Sequence, residues 1–254
     1  MQITDTTAEL PAGKVFYRDS GGAGVPVVFL HAASGNSMLW EHQIPAFTAA
    51  GLRFIALDHR ATARGSNSSA LIDGLLARLN VYRCHLLGTA AGGGAALQYA
   101  LTHPEKLRSL IVANSIGFVL DSDYIAMSNR LRPAPQFNQL PLEFRELGPS
   151  YRAADPDGVA RWLALSGRGQ ASRGAVAQDG GNVEVTWAKL ATLKVPTLLI
   201  TGDADLYTPP SVLRMFTARI PHAGSAVIAE TGHSSYWESP QEFNRTVLAF
   251  IRKH

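Results

Sequence analysis

Short runs rich in hydrophobic residues recur along the chain, and each run has the length of a β-strand. They are Val25–Leu30, Arg53–Leu57, Tyr82–Leu87, Leu107–Val112 and Val195–Ile200, with a shorter run at Ala226–Ile228. Hydrophobic runs of this length are typical of strands that are covered on both faces in a parallel sheet. The pattern therefore predicts a mostly parallel sheet buried between helices.

Helical patterns separate these runs. Asn67–Leu79 places leucines on one face, and Ala91–His103 continues without a helix breaker until Pro104. Pro240–Arg252 forms the last helical pattern, with its proline in the first turn, where the missing amide costs nothing. Strands that alternate with helices predict a doubly wound α/β fold.

The stretch from 115 to 190 breaks the alternation, because it contains no strand pattern. Short helices are predicted at Asp121–Leu131, Leu142–Leu147 and Pro156–Ser166, the last beginning after Asp155. The glycine- and serine-rich stretch Ser166–Asn182 predicts a loop.

The chain is therefore divided into three segments of one structural unit. Residues 1–114 form the first part of the α/β core, 115–190 an inserted helical cap, and 191–254 the second part of the core.

The strand at Val81–Leu87 runs directly into a tight turn, Gly88-Thr89-Ala90-Ala91-Gly92, and then into a helix. This is the form of a nucleophile elbow, Gly-x-Ser-x-Gly, with Ala90 at the position of the nucleophile. The flanking glycines are needed because strand and helix nearly touch at such a turn. A dinucleotide-binding loop is the other interpretation, but the glycine spacing does not fit Gly-x-Gly-x-x-Gly.

An acid and a histidine follow the elbow in the chain order of a hydrolytic triad. Asp205 lies past the end of the strand Val195–Ile200, with Asp203 as a competing candidate, and His233 follows the run Ala226–Ile228. In such a pair the acid orients the imidazole and stabilises its charged form. The alternative for His233 is a buried, hydrogen-bonded histidine without a catalytic role.

The first buried strand is followed by His31-Ala32-Ala33-Ser34-Gly35, which matches a His-Gly-x-x-Gly loop that supplies one donor of an oxyanion hole. The backbone amides of Ala33 and Ala91 are the predicted donors, and backbone donors do not depend on the side chain. The Ser34 hydroxyl is a candidate for substrate binding or for a substitute nucleophile, with local hydrogen bonding as the alternative.

Two tryptophans and a set of arginines are candidates for the surroundings of the site. Trp40 and Trp237 are predicted to line or support the substrate pocket by packing. In the cap, some arginines could bind a substrate carboxylate through a bidentate contact, or they could form a solvated helical face. These arginines are Arg130, Arg132, Arg145, Arg152, Arg161, Arg168 and Arg173.

Together these motifs resemble the α/β-hydrolase superfamily, in the capped branch that includes enol-lactonases and carbon–carbon bond hydrolases. The resemblance covers nearly the whole chain, including Asp58–Ser66. It implies an α/β-hydrolase fold with a cap, an oxyanion hole, and a histidine–aspartate pair acting on a small ester, lactone or vinylogous acid. The chain departs from the family pattern at Ala32, Ala61 and Ala63, where glycines are usual, and above all at Ala90.

Three interpretations of Ala90 stay open on the sequence. It is an engineered replacement of serine that traps a ligand, a native residue of an enzyme that needs no covalent serine, or the mark of a non-catalytic relative that binds a ligand. If catalysis remains, His233 and Asp205 would act as a general acid–base pair while the oxyanion hole holds the developing charge.

Charge and composition restrict the partners. The chain of 254 residues has 23 basic and 20 acidic residues, a net charge of +3, and no block of like charges, so no nucleic-acid partner is predicted. The hydrophobic runs are far shorter than the ~20 residues that span a bilayer, and the N-terminus has no secretory pattern. A small-molecule substrate is expected, and a homodimer is left open.

The remaining expectations concern compartment and cofactors. Cys84 is the only cysteine, which suits a reducing compartment and a cytoplasmic location. No cofactor and no metal are predicted, because His31 and His59 each follow a strand and no third ligand has suitable spacing.

Overall fold

The computed structural model describes residues 3–59, 68–115, 117–171 and 183–254, with side chains throughout except at 167–171. The segment Arg60–Ser66, which is part of the family resemblance, lies outside these ranges, and so does Arg173. Arg168 lies within α8, but its side chain is outside the described part.

Eight strands form one sheet in the order β1-β2-β4-β3-β5-β6-β7-β8. β1 pairs antiparallel with β2 and β2 with β4, whereas all other neighbours are parallel. The strands are β1 Thr4–Leu10, β2 Gly13–Asp19, β3 Pro26–Leu30, β4 Arg53–Leu57, β5 Cys84–Thr89, β6 Leu107–Ala113, β7 Thr197–Gly202 and β8 Gly224–Ile228. The mostly parallel, doubly wound sheet that the hydrophobic runs predict is confirmed.

Helices pack on both faces of the sheet and fill the connection between β6 and β7. Those outside this connection are α1 Gln43–Ala49, α2 Ser68–Arg78, α3 Ala91–Thr102, α10 Pro210–Thr217, α11 Ser235–Glu238 and α12 Pro240–Ile251. Those within it are α4 Ser122–Leu131, α5 Gln136–Gln139, α6 Leu142–Glu146, α7 Pro149–Ala154, α8 Pro156–Ala171 and α9 Trp187–Leu190. None of the helices in the described ranges combines the length and hydropathy needed to cross a bilayer.

The sheet divides the core into two hydrophobic clusters. Alternate residues of β3 separate between them, with Val28 and Leu30 in one and Val27 and Phe29 in the other. This division follows from the two-residue period of a strand, which sends successive side chains to opposite faces. A central strand with helices on both faces can therefore bury hydrophobic side chains at consecutive positions.

The N-terminal hairpin of β1 and β2 is absent from the sequence prediction. Its first strand buries only Ala8 and otherwise carries exposed or half-exposed residues, many of them polar. A strand on the edge of a sheet needs little hydrophobic surface, so the hydrophobic pattern alone does not reveal it.

The described part of the connection between β6 and β7 consists of helices joined by turns and loops, with one isolated bridge between Val119 and Val185. Asp155 begins α8 as predicted, because its Oδ1 accepts a hydrogen bond from the Gly158 amide at 2.8 Å.

The predicted loop at Ser166–Asn182 is wrong in its first part. Helix α8 continues to Ala171, and residues 172–182 lie outside the described ranges. Trp162 and Leu165 of the same helix are buried in the core. This packing stabilises the helix enough to offset the cost of about 1 kcal/mol for each glycine in its last turns.

Candidate active site

The turn between β5 and α3 has the geometry of a nucleophile elbow. Ala90 has φ 50° and ψ −117°, a strained conformation for a residue with a side chain. A Cβ on Gly88 would lie 2.2 Å from the Gly92 carbonyl oxygen, and a Cβ on Gly92 would lie 2.3 Å from that of Leu30. Both positions therefore require glycine, and the close approach presents Ala90 at the tip.

Several hydrogen bonds hold Ala90 in this conformation. Its amide donates to the carbonyl oxygens of Ala113 and Asn114, each at 3.1 Å, at the end of the neighbouring strand β6. The Ser115 hydroxyl donates to the Ala90 carbonyl oxygen at 2.6 Å. The backbone of the elbow is thus fixed from β6 without any contribution from a side chain at position 90.

The structure brings Asp205 and His233 together. His233 Nδ1 lies 2.9 Å from each carboxylate oxygen of Asp205, whose side chain has no exposed surface. Asp203, the competing acid, is exposed on the loop after β7. Since Asp205 occupies Nδ1, Nε2 is the nitrogen of His233 that can take or give a proton.

Each member of this pair stabilises the charged form of the other. Burial opposes the charge of Asp205, but the charge of His233 and hydrogen bonds from His233 and Thr208 outweigh it, so the pKa of Asp205 lies well below its usual range. Burial lowers the pKa of His233, and the Asp205 carboxylate more than offsets this, so that pKa is raised above the ordinary 6.5. The imidazole is therefore a stronger base than a free histidine.

Asn114 connects Asp205 to the loop that contains His233, a role that the sequence did not predict. Its Nδ2 donates to Asp205 Oδ2 and to the Gly232 carbonyl oxygen, both at 3.0 Å. Its Oδ1 accepts a hydrogen bond from the Ser235 hydroxyl. A polar residue directly after β6, next to the elbow strand, is the signal that could have pointed to it.

Glu238 fastens the inserted helices to the same loop. Its two carboxyl oxygens accept hydrogen bonds from the amides of Gly148 at 2.7 Å, Gly232 at 3.0 Å and Ser234 at 3.2 Å. Burial raises the pKa of Glu238 to about 7, although the three amides favour its charged form. One side chain thus joins the segment after α6 to both neighbours of His233.

Residues of the insert also cover His233 through Tyr207. The Tyr207 ring stacks on the His233 imidazole, with 4.2 Å between ring centroids. Phe137 packs edge-on against the Tyr207 ring, with 5.0 Å between centroids. Arg145 Nη1 donates to the Tyr207 hydroxyl at 3.3 Å, and the Arg132 guanidinium lies 5.5 Å from the Tyr207 ring centroid. Two of the candidate arginines between β6 and β7 therefore approach the His233–Asp205 pair through Tyr207.

The other described cap arginines lie elsewhere. Arg161 pairs with Glu41, Arg152 lies over the Phe144 ring, and Arg130 is exposed. A role of these three side chains in substrate binding stays a prediction.

The loop at His31–Gly35 lies beside the elbow. A Cβ on Gly92 would meet the carbonyl oxygens of Leu30 and His31, which places the start of the loop against the first turn of α3. Ala33 is exposed and Ser34 half-buried. Ala91 is the first residue of α3, where an amide has no partner within the helix. The oxyanion role of these two amides stays a prediction.

Two histidines support this loop. The ring of His59 lies 4.4 Å from that of His31, and its Nε2 donates to the His31 carbonyl oxygen at 2.8 Å. Burial lowers the pKa of both histidines, so both are neutral near pH 7. Their contacts are those of a packed, uncharged support for the loop.

The two tryptophans lie within the core rather than at an open surface. Trp40 is 0% exposed and packs against Phe29 and Tyr236, and Trp237 is 2% exposed and donates from Nε1 to the Tyr151 hydroxyl at 2.9 Å. The ring partners are Phe29 and Tyr236 for Trp40, and His42 for Trp237. Their role in substrate binding stays a prediction, and their described contacts are packing contacts.

Comparison with known proteins gives consistent matches. The family model described as "alpha/beta hydrolase fold" matches residues 25–240. A 2-hydroxy-6-oxononadienedioate/2-hydroxy-6-oxononatrienedioate hydrolase of Burkholderia vietnamiensis is 25% identical, over 94% of this chain and 91% of the relative. A pimeloyl-[acyl-carrier protein] methyl ester esterase of Aeromonas hydrophila is 26% identical, over 91% and 96%. Among solved structures, the enol-lactonase of Burkholderia xenovorans superposes with a TM-score of 0.74 at 18% identity, covering 97% of this chain and 100% of that one.

Proposed function

Because the chain belongs to the α/β-hydrolase fold family, we propose that it is a hydrolase-like enzyme that acts on a small carbonyl substrate without a serine nucleophile. The substrate is an ester, a lactone or a vinylogous acid. The observation that carries the proposal is the His233–Asp205 pair, at 2.9 Å, beside an elbow that keeps its backbone geometry and lacks only the hydroxyl.

The proposed mechanism uses His233 as a general base. Its Nε2 removes a proton from a water molecule, and the water oxygen attacks the substrate carbonyl carbon. Asp205 stabilises the imidazolium that forms, and the amides of Ala33 and Ala91 stabilise the oxyanion. A positioned general base contributes roughly 10²–10⁴-fold in rate, so a slow hydrolase is expected.

The printed names of the relatives support this choice of reaction. Both sequence relatives named above are hydrolases, and one of them acts on a methyl ester. The inserted helices cover His233 through Tyr207 and would act as the cap that excludes bulk water from the reaction. Arg132 and Arg145 would favour an anionic group on the substrate at this end of the site.

The test is turnover of a panel of esters and lactones by the purified protein. We expect slow hydrolysis that falls by about 10²-fold or more in His233→Ala and is unchanged in His254→Ala, a control at an exposed histidine. The acid limb of kcat/KM should lie above pH 6.5, the ordinary pKa of histidine, because Asp205 raises the pKa of His233.

The Ala90→Ser variant distinguishes the interpretations of position 90. We expect it to react covalently with a fluorophosphonate, which the parent chain does not, because the elbow already holds the conformation that a nucleophile needs. Saturable ligand binding by the parent chain with no turnover, unaffected by His233→Ala, would instead identify a ligand-binding protein and contradict the proposal.

A further inference from the structure

A buried carboxyl group of the insert has no role in the mechanism so far. Glu146 is only 6% exposed, and its Oε2 has no hydrogen-bond partner within the part of the chain that the structure describes. A buried oxygen without a donor is costly when the carboxyl group is charged, and much less so when it is protonated. Burial accordingly raises the pKa of Glu146 above its ordinary 4.5.

The backbone places the end of α6, which carries Glu146, at the loop that contains His233. Glu146 is the last residue of α6, and the chain two residues later lies against the residue that precedes His233. A Cβ on Gly148 would be 2.8 Å from the Gly232 amide nitrogen, and a Cβ on Gly232 would be 2.5 Å from that of Gly148. Glu238 binds both amides and keeps the two segments together.

The charged and titratable groups around Glu146 come from several elements. Asp205 and Tyr207 lie on the loop after β7, and His233 lies on the loop before α11. Tyr236 belongs to α11, and Arg145 belongs to α6 itself. Burial and the charge of Asp205 oppose the carboxylate form of Glu146, whereas the charges of His233 and Arg145 and a hydrogen bond from Tyr207 favour it. Arg145 donates to the Tyr207 hydroxyl, and Arg132 lies over the Tyr207 ring.

We propose that Glu146 is the general acid of the reaction, donating a proton to the leaving group while His233 acts as the base. The inference rests on the proposed function. Without such an acid, a single histidine in a serine-free site would have to accept the proton of water and then donate it to the leaving group. A carboxyl group held by the cap lets the two transfers occur at different atoms.

The proton balance closes with water as the only co-reactant. His233 Nε2 takes one proton from water as the carbon–oxygen bond forms. The tetrahedral intermediate then breaks its bond to the leaving group, which takes the proton of Glu146. The resulting imidazolium and carboxylate return to the starting state when the proton passes from His233 to Glu146, directly or through solvent.

The experiment compares two leaving groups in the full chain. An alkyl ester has a leaving group that needs a proton, whereas a 4-nitrophenyl ester of the same acid does not. We expect Glu146→Gln to lower kcat/KM by about 10²-fold for the alkyl ester and by less than about threefold for the nitrophenyl ester. Glu143→Gln, on the same helix, is the matched control and should leave both rates unchanged.

The pH profile gives a second measurement. The parent chain should show a bell-shaped kcat/KM whose two limbs belong to the His233–Glu146 pair. Glu146→Gln should lose the alkaline limb, and Glu146→Asp, which keeps a carboxyl group, should retain it.

Equal losses on the two esters, or an alkaline limb that survives in Glu146→Gln, would overturn the role of Glu146 while the proposed function stands. A parent chain that hydrolyses no ester or lactone would overturn the proposed function and the general-acid role with it. The two failures are therefore distinguishable.

Discussion

Asn114 holds the acid of the site through a neutral side chain, and its neutrality has an electrostatic reason. It donates to Asp205 and accepts from Ser235, so both ends of the amide are used. Its φ of 46° is a backbone conformation that asparagine tolerates better than most residues. A carboxyl group in its place would put two like charges side by side.

The variant Asn114→Asp tests this at the residue scale. Asp205 would raise the pKa of the new carboxyl group above that of an unfolded aspartate, about 3.9. A group whose pKa is higher in the folded state than in the unfolded state contributes most to the free energy of unfolding below its unfolded pKa. This contribution is lost as the pH rises through the folded-state pKa. We expect the stability deficit of Asn114→Asp relative to Asn114→Ala to grow between pH 4.5 and pH 8, as measured by urea unfolding. A deficit that does not change with pH would contradict the interpretation.

At the same scale, the sequence predicted some site residues and not others. The spacing Gly202-x-x-Asp205-x-x-x-Pro209 favours Asp205 over Asp203, and the structure pairs Asp205 with His233. Asn114 and Glu146 belong to no such local motif. Their positions depend on contacts with Gly232 and its neighbours, more than 80 residues further along the chain, which no local pattern encodes.

At the scale of single elements, the contact between β3 and α3 sets a strict steric limit. A Cβ on Gly92 would lie 2.3 Å from a backbone oxygen, whereas a Cβ on Gly74 in α2 would lie 3.4 Å from the nearest atom, a Leu10 methyl group. Backbone cannot move aside as a flexible side chain can. Two glycines in helices are thus expected to respond in opposite ways to the same substitution.

We expect Gly92→Ala to destabilise the protein by more than about 3 kcal/mol, because strand and helix must separate. Gly74→Ala should stabilise it by about 0.5–1 kcal/mol, because alanine favours the helix. Urea unfolding of both variants checks the pair. Equal effects would show that the close approach at Gly92 does not limit the fold.

The contact of the insert with α11 depends on Glu238, and it leads to a second prediction at this scale. Each oxygen of Glu238 accepts at least one amide hydrogen bond. In Glu238→Gln the amide NH₂ group must face one of these donors, at a cost of about 1–3 kcal/mol. Faster hydrogen exchange at Gly148 and Gly232 is expected, and Glu242→Gln, in a largely exposed ion pair, is the control that should leave both amides unchanged.

At the scale of the whole molecule, a buried histidine far from the site links stability to pH. His85 lies within the sheet, where Nδ1 contacts the Ser109 hydroxyl at 2.7 Å. Burial, together with the positive charges of Arg108, His254 and Arg83, lowers the pKa of His85 from 6.5 to about 4. The unfolded chain therefore binds a proton at a pH where the folded chain does not.

The stabilising contribution of neutral His85 is thus present above pH 6.5 and is lost as pH falls toward 4. We expect the urea midpoint of His85→Gln to fall less between pH 7 and pH 4.5 than that of the parent chain. His222→Gln, at an exposed histidine, should follow the parent. Parallel curves for all three proteins would contradict the role assigned to His85.

More of the overall architecture than of the site could be predicted from the sequence, because hydrophobic runs mark the buried strands. The parallel strands are rich in hydrophobic residues, since both faces are covered, and they are visible in the sequence for that reason. The hairpin of β1 and β2 lies at the edge of the sheet and lacks this signal. Helix α8 was predicted too short because its last turns contain glycines, and the burial of Trp162 and Leu165 is a tertiary effect.

The steric contact between Gly88 and Gly92 also bears on how proteins of this kind are catalogued. A signature that demands serine at the turn discards this chain, although its whole architecture is retained. A signature that demands the two glycines, leaves the residue between them free, and adds the later aspartate and Gly-His pair would keep it. The fold requires the two glycines for steric reasons, whereas only a reaction with a covalent intermediate requires serine between them. Genome surveys that search for the glycines would therefore also recover family members without the serine.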